Sequence, residues 1–166
     1  MKYVLMYLFA IVLANLSSAA FGPGASVVNA FLFIGLDLTA RDRLHEQWKH
    51  KHLARNMAML IAAGSVLSFI VDAAALPIAI ASLLAFSAAN VADTLVYHLL
   101  GKFHPMVKVN GSNAVSALAD SLIFPTVAFG GFLPLITLGQ WVAKVAGGFV
   151  WSLILNHFKG VRNATH

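Results

Sequence analysis

Three ionisable residues stand inside long apolar runs of the chain: Asp93, Asp120 and Lys144. A carboxylate offers only hydrogen-bond acceptors and an ammonium only donors. Together they could grip a ligand that presents both. Each costs roughly 2.5–3.5 kcal/mol at the centre of a membrane helix, and residues kept at such a cost usually face a bundle interior or a pathway. Helical spacing gives each a set of companions. Asn90, Asp93 and Tyr97 share one face; so do Asn113, Ser116, Asp120 and Phe124; so do Gln140, Lys144, Gly147 and Trp151. Asn15 and Ser18 make a shorter pair, and Asn29, Phe33, Asp37 and Arg41 recur every four residues. Asp93 lies eight residues before Gly101 and Asp120 eight after Ser112, which puts both about 12 Å from one end of their helices. Two bare carboxylates at one depth repel, so Lys144 or a ligand donor belongs between them, unless one is protonated. The competing reading is that these groups only hold helix to helix, as Asn, Ser and Gln routinely do.

The elements that must carry these residues are membrane spans. Of the 166 residues, 60% are hydrophobic and 10% charged, against about 25% charged in a soluble domain. So few charges cannot cover a water-soluble globule of this length. A span needs roughly 20 apolar residues, and six stretches qualify: Lys2 to Ala20, Ala25 to Arg41, Asn56 to Val71, Ala74 to Leu100, Ser112 to Gly131 and Leu133 to His157. The expected fold is an all-α integral membrane protein, residues 1–166 forming a single six-helix transmembrane domain. The fourth span is long, so tilt or a kink at Pro77 is expected. Gly22-Pro23-Gly24 and Gly130-Gly131 mark tight turns, while 41–55 and 101–111 read as polar loops.

Charge sets the orientation. Lys2, Arg41, Arg43, Lys49, Lys51, Arg55, Lys102, Lys108, Lys159 and Arg162 fall on one side, and the opposite loops hold no Lys or Arg. The positive-inside rule places both termini in the cytoplasm. A rival reading takes the first span as a signal peptide cleaved after Ser18-Ala19-Ala20. Asn15 within the run and the immediate return into a second span favour a retained helix. The net charge of +5 is clustered at loops, which suits a bilayer rather than nucleic acid, and the absence of cysteine removes thiol chemistry. Ala92-Asp93-Thr94-Leu95-Val96-Tyr97 echoes Ala119-Asp120-Ser121-Leu122-Ile123-Phe124. A three-plus-three inverted repeat, as found in transporters, is one way to produce such an echo.

Other motifs carry less. The His45–His52 run does not have metalloprotease spacing, and a solvated, lipid-facing loop accounts for it; no metal is expected. Asp37 through Arg41 resembles the opening of the phosphatidyltransferase motif, but His50 stands where that motif needs glycine and its later aspartates are missing. Asp37 and Arg41 instead suit an ion pair at a helix end, serving as a gate or brace. No nucleophile–base pair emerges, so no enzyme is expected, and no nucleotide-binding Gly-x-x-x-x-Gly-Lys-Ser/Thr occurs.

Gly35 through Asp42, Ala92 through Tyr97, Ser112-Asn113 with Ala119-Asp120 and Phe124, and Ala128 through Gly131 together resemble the VUT family. Its members are six-helix proteins labelled vitamin uptake transporters and regarded as queuosine precursor transporters. The resemblance runs from the first helix to Lys144, and this chain is similar to compact phage and actinobacterial forms. It implies uptake of a 7-deazaguanine base, preQ0 or preQ1, across the inner (cytoplasmic) membrane, without a cofactor. The base's N1 and N2 donors suit a carboxylate and its ring suits aromatic stacking. Asp93 and Asp120 are then the residues for base-edge recognition. Asn113, Asn15, Gln140 and Asn90 complete the hydrogen bonds, Lys144 balances charge or reaches the carbonyl, and Tyr97, Phe124 and Trp151 stack. Facilitated and proton-driven transport both fit, as do a monomer and a homodimer. Two further readings stand beside this one: a substrate-binding membrane subunit of a larger transport complex, and a small scaffold or pore without a base site.

Overall fold

In a computed structural model, which describes residues 1–48 and 52–164, the chain is a bundle of helices, with no strand among the described residues. Positions 49–51, inside the His45–His52 run, lie outside the described residues. Six helical rods follow in order. α1 is Lys2–Phe21. α2 covers residues 23–48 in three continuous parts: Pro23–Asn29, a π turn at Ala30–Ile34, and Gly35–Trp48. α3 is Leu53–Val71, α4 Leu76–Leu99, α5 Pro105–Ala128 and α6 Pro134–Ala164. Four segments are long and apolar enough to cross a membrane: Lys2–Phe21, Pro23–Arg41, Ala73–Leu99 and Pro134–Leu155. Arg55–Val71 is a shorter apolar helix.

Three sequence expectations change. The polar segment after Arg41 is not a loop throughout, because α2 runs on to Trp48. α5 starts at Pro105, not at Ser112, so much of the expected 101–111 loop is helix. Pro77 does not kink α4. It sits in the first turn, where its missing N–H has no helical partner to lose, and a 3₁₀ turn at Ala73–Ala75 leads into it. The tight turns do stand: Gly22 and Gly130 adopt φ of 73° and 74°, conformations that a side chain would oppose.

The rods form a ring in the order α1, α2, α6, α5, α4, α3, with α1 also touching α4. Helices adjacent in sequence are antiparallel, so Lys2, Arg41, Arg43, Arg55, Lys102 and Lys108 gather at one end of the bundle, called here the basic end. The neighbours do not repeat under the three-plus-three exchange. That exchange would turn the α2–α6 contact into α5–α3 and the α3–α4 contact into α6–α1, and neither pair packs extensively among the described residues.

Polarity is inverted relative to a water-soluble bundle. Phe9, Ile70, Leu135 and Phe149 are exposed, while Asn15, Asp37, Asp120, Gln140 and Lys144 are buried. A hydrocarbon solvent explains both halves of the pattern. An apolar cluster including Tyr3, Tyr7, Ile11, Leu44, Leu60 and Phe86 fills the basic half of the interior.

A close backbone approach joins α2 to α6. A Cβ on Gly147 would lie 2.3 Å from the Phe31 carbonyl oxygen, and one on Gly35 would lie 2.6 Å from the Gly147 carbonyl carbon. The Thr39 hydroxyl also donates to Gly148 O, 3.3 Å away. Small residues permit this approach, as they do at membrane helix interfaces generally. Gly147→Ala should therefore lower stability by about 1–3 kcal/mol, the usual cost of overpacking. Gly24→Ala, whose Cβ would meet nothing within 4 Å, should leave it unchanged. Thermal unfolding of both variants in detergent measures the contrast.

Candidate functional site

The most polar point of the interior is Lys144 on α6. Its ammonium bonds to Asp120 Oδ2 on α5, to Ser121 Oγ at 3.0 Å and to Gln140 Oε1 at 3.2 Å. An ammonium has three donors, so the protein uses them all. Lys144 is 2% exposed and Asp120 6%. A lysine this deep needs its carboxylate, because an unpaired charge in low dielectric is far costlier than a matched one.

Two narrow chambers meet at this pair, each with room for roughly one water molecule. The inner one, toward the basic end, is lined by Tyr7 of α1, Asp37 and Arg41 of α2, Asn90 of α4 and Ser116 of α5. The outer one is lined by Asn15 and Ser18 of α1, Ser26 and Asn29 of α2, Ser82 of α4 and Gln140 of α6, with Phe124 of α5 at its side. Four residues line both: Ile34, Phe86, Asp120 and Lys144.

Most amides of the outer chamber are occupied by the protein itself. Asn15 donates to Ser68 Oγ at 3.0 Å and accepts from Ser82, tying α1 to α3 and α4. Asn29 donates to Ala14 O at 3.2 Å and Ser18 Oγ at 3.0 Å. Gln140 donates to Ser26 Oγ at 2.7 Å while accepting from Lys144. Three groups that carry an acceptor keep capacity beside the hydroxyls of the site: Asp120 Oδ1, Asn29 Oδ1 and the Asn90 carboxamide, none of which takes a side-chain donor among the described residues. Two of the three offer acceptors only. The site thus suits a ligand rich in donors.

The residues singled out by spacing divide by depth. Asp120, Lys144, Gln140, Asn15, Asn90 and Phe124 line the chambers, as do Asp37 and Arg41. Asp93, Asn113, Tyr97 and Trp151 line neither. Asn113 accepts from Arg41 Nη2 at 3.5 Å. Tyr97 is 41% exposed, with Lys108 Nζ 4.9 Å from its ring centroid. Asp93 keeps a buried Oδ1 that no described residue donates to. It does not share Lys144 with Asp120, because the ammonium's three donors go to Asp120, Ser121 and Gln140. From Pro105, Asp120 lies fifteen residues into its helix, whereas Asp93 is six from the end of α4.

Tyr7, Ile34, Ser82 and Phe86 line the site without having been singled out by sequence. Tyr7 is hidden in an apolar run, and a lone serine in a helix signals nothing. Ile34 was obscured by the π turn. A repeat of four from Asn29 points to Phe33, but the widened turn brings round the fifth residue instead.

A family model described as putative vitamin uptake transporter matches residues 2–157. No curated protein and no solved structure matches the chain. Among the described residues, no group of three His, Cys, Asp or Glu side chains is placed to hold a metal.

Removing one partner of the buried pair should destabilise strongly. Lys144→Met alone is expected to cost about 3–5 kcal/mol, and pairing it with Asp120→Leu should restore much of the loss, since a neutral pair leaves no stranded charge. A double-mutant unfolding cycle in detergent measures this. Additive losses would mean that the two residues do not act as a pair.

Proposed function

The chain belongs to the putative vitamin uptake transporter family, and from that premise and the site's chemistry we propose that it carries a 7-deazaguanine precursor of queuosine, preQ0 or preQ1, across the cytoplasmic membrane. The observation that carries the reading is the free Asp120 oxygen where two polar chambers meet. A deazaguanine presents adjacent N1 and N2 donors on one edge, and a carboxylate accepts such donors with charge-assisted strength. The Asn90 carboxamide can answer the carbonyl at O6 or a further donor. Phe86 and Phe124 flank the chambers and supply faces for a flat ring. Adenine, which lacks the N1–H, would leave the Asp120 acceptor unmatched in a buried site, a costly mismatch.

In this reading Lys144 does not touch the base. Its donors are committed, so it acts as a positioning residue that holds the Asp120 side chain in place. Asn15 and Gln140 shape the outer chamber in the same indirect way. Asp93, one turn beyond Asn90 on the same face, becomes a polar group on the approach from the basic end rather than part of the recognition centre. The basic end faces the cytoplasm in this proposal, following the positive-inside rule.

Binding only to the folded state raises stability. The expected result is an increase in the melting temperature of the detergent-purified protein with preQ0 or preQ1 and none with adenine. Asp120→Asn, in protein shown to be folded, should lose most of the shift, while Asp93→Asn keeps it. Uptake of labelled base into liposomes containing only this protein should follow the same order. No shift with any deazaguanine in folded wild-type protein would sink the cargo assignment.

A further inference from the structure

The two chambers differ in chemistry and share one wall. The outer chamber offers only amides and hydroxyls apart from that wall, whereas the inner one adds a carboxylate and a guanidinium, Asp37 and Arg41. The shared wall has a charged half, the Asp120–Lys144 pair, and an apolar half, Ile34 and Phe86. Ile34 is the last residue of the π turn in α2. Phe86 is buried, one turn from Ser82 of the outer chamber and four residues from Asn90 of the inner one.

We infer that the inner chamber is a second binding subsite for the same donor-rich planar base, and that Ile34 and Phe86 form the internal gate between the two subsites. This rests on the transporter reading above. A base held at Asp120 Oδ1 from the outer side has Asn29 Oδ1 for company. Once past Phe86, it meets Asn90, Ser116 and the Tyr7 hydroxyl against the same Asp120 carboxylate. The carboxylate serves both positions, so the base need not lose its strongest partner in crossing. The apolar pair is what must move. Displacing two uncharged side chains strips no charge of its partner, whereas parting Asp120 from Lys144 would strand both. The π turn gives the backbone at Ile34 a wider, weaker ring of hydrogen bonds, a feature frequently found at functional sites in helices.

The chain contains no cysteine, so single cysteines can report access without background. Ser82→Cys samples the outer chamber and Ser116→Cys the inner one. Both are small exchanges at buried serines. With a membrane-impermeant methanethiosulfonate reagent and no ligand, Ser82→Cys should label from the end opposite the basic one, and Ser116→Cys from the basic end. Adding Phe86→Ala should raise labelling of Ser116→Cys from the opposite end several-fold, while Phe86→Leu, which keeps the bulk, should not. Ile34→Ala provides a second opening should Phe86→Ala fail to fold, folding being checked by melting temperature. With preQ0 present, both cysteines should be protected.

Labelling of Ser116→Cys from both ends with Ile34 and Phe86 intact would overturn the gate. So would failure of folded Phe86→Ala and Ile34→Ala to change it. Protection of Ser82→Cys alone would overturn the second subsite. One-sided labelling with preQ0 protecting neither position would uphold the gate and count against the cargo reading instead.

Discussion

The interior of this bundle is organised by one buried ion pair. Lys144 and Asp120 are buried inside a bundle whose outer surface is apolar, and neither charge could be held there alone. The pair needs α5 and α6 side by side, and the remaining two donors of the ammonium need Ser121 and Gln140 at their present heights. Gln140 then needs Ser26, which draws in α2. Asn15 performs a similar service at the other side of the ring, bonding Ser68 and Ser82 and so joining α1, α3 and α4. These short polar chains do in a bilayer what apolar burial does in water. Lipid tails compete fully for apolar surfaces but offer nothing to an amide.

Close packing by small residues is the complement of this polar network. Gly35 and Gly147 let the α2 and α6 backbones touch, and that contact sets the height of Lys144 one turn away on α6. The π turn at Ala30–Ile34 sits directly against it, with the Phe31 carbonyl facing Gly147. An extra residue per turn costs hydrogen-bond geometry. Before the π turn Asn29 lines the outer chamber, and beyond it Asp37 and Arg41 line the inner one.

The faces of α5 and α6 were readable in part from sequence because a regular helix repeats every 3.6 residues, whereas on α4 only Asn90 of its stripe reaches the site. Ser116, Asp120 and Phe124 line the site as their spacing implied, and so do Gln140 with Lys144. Depth was harder. The start of α5 was placed at Ser112 because Gly101 to Gly111 is polar and basic, yet Pro105 opens the helix with a residue suited to its first turn. Counted from Pro105, Asp120 stands fifteen residues into α5 rather than eight. In α2 a repeat of four finds Asn29, Asp37 and Arg41 but misses Ile34 at the π turn, because periodicity arguments assume an unbroken α-helix. Small serines could not be ranked from sequence, since any of them can bond the carbonyl one turn back, as Ser87 and Thr94 do on exposed faces.

A chamber with room for a water cannot admit a bicyclic base without some separation of helices. The contacts limit which ones can part. α4 and α5 pack along much of their length, and α2 and α6 meet backbone to backbone. These two pairs therefore behave as stiffer units, joined across the site by Lys144 and by the Trp141 indole, which donates to Ala114 O at 3.0 Å. Any opening that separates the units strains the ion pair. A ligand whose donors reach Asp120 Oδ1 adds contacts where that strain falls, whereas one without them adds none. Under the proposed function selectivity and opening would then share a cause, because the carboxylate assigned to the ligand is also one of the contacts that join the two halves of the bundle.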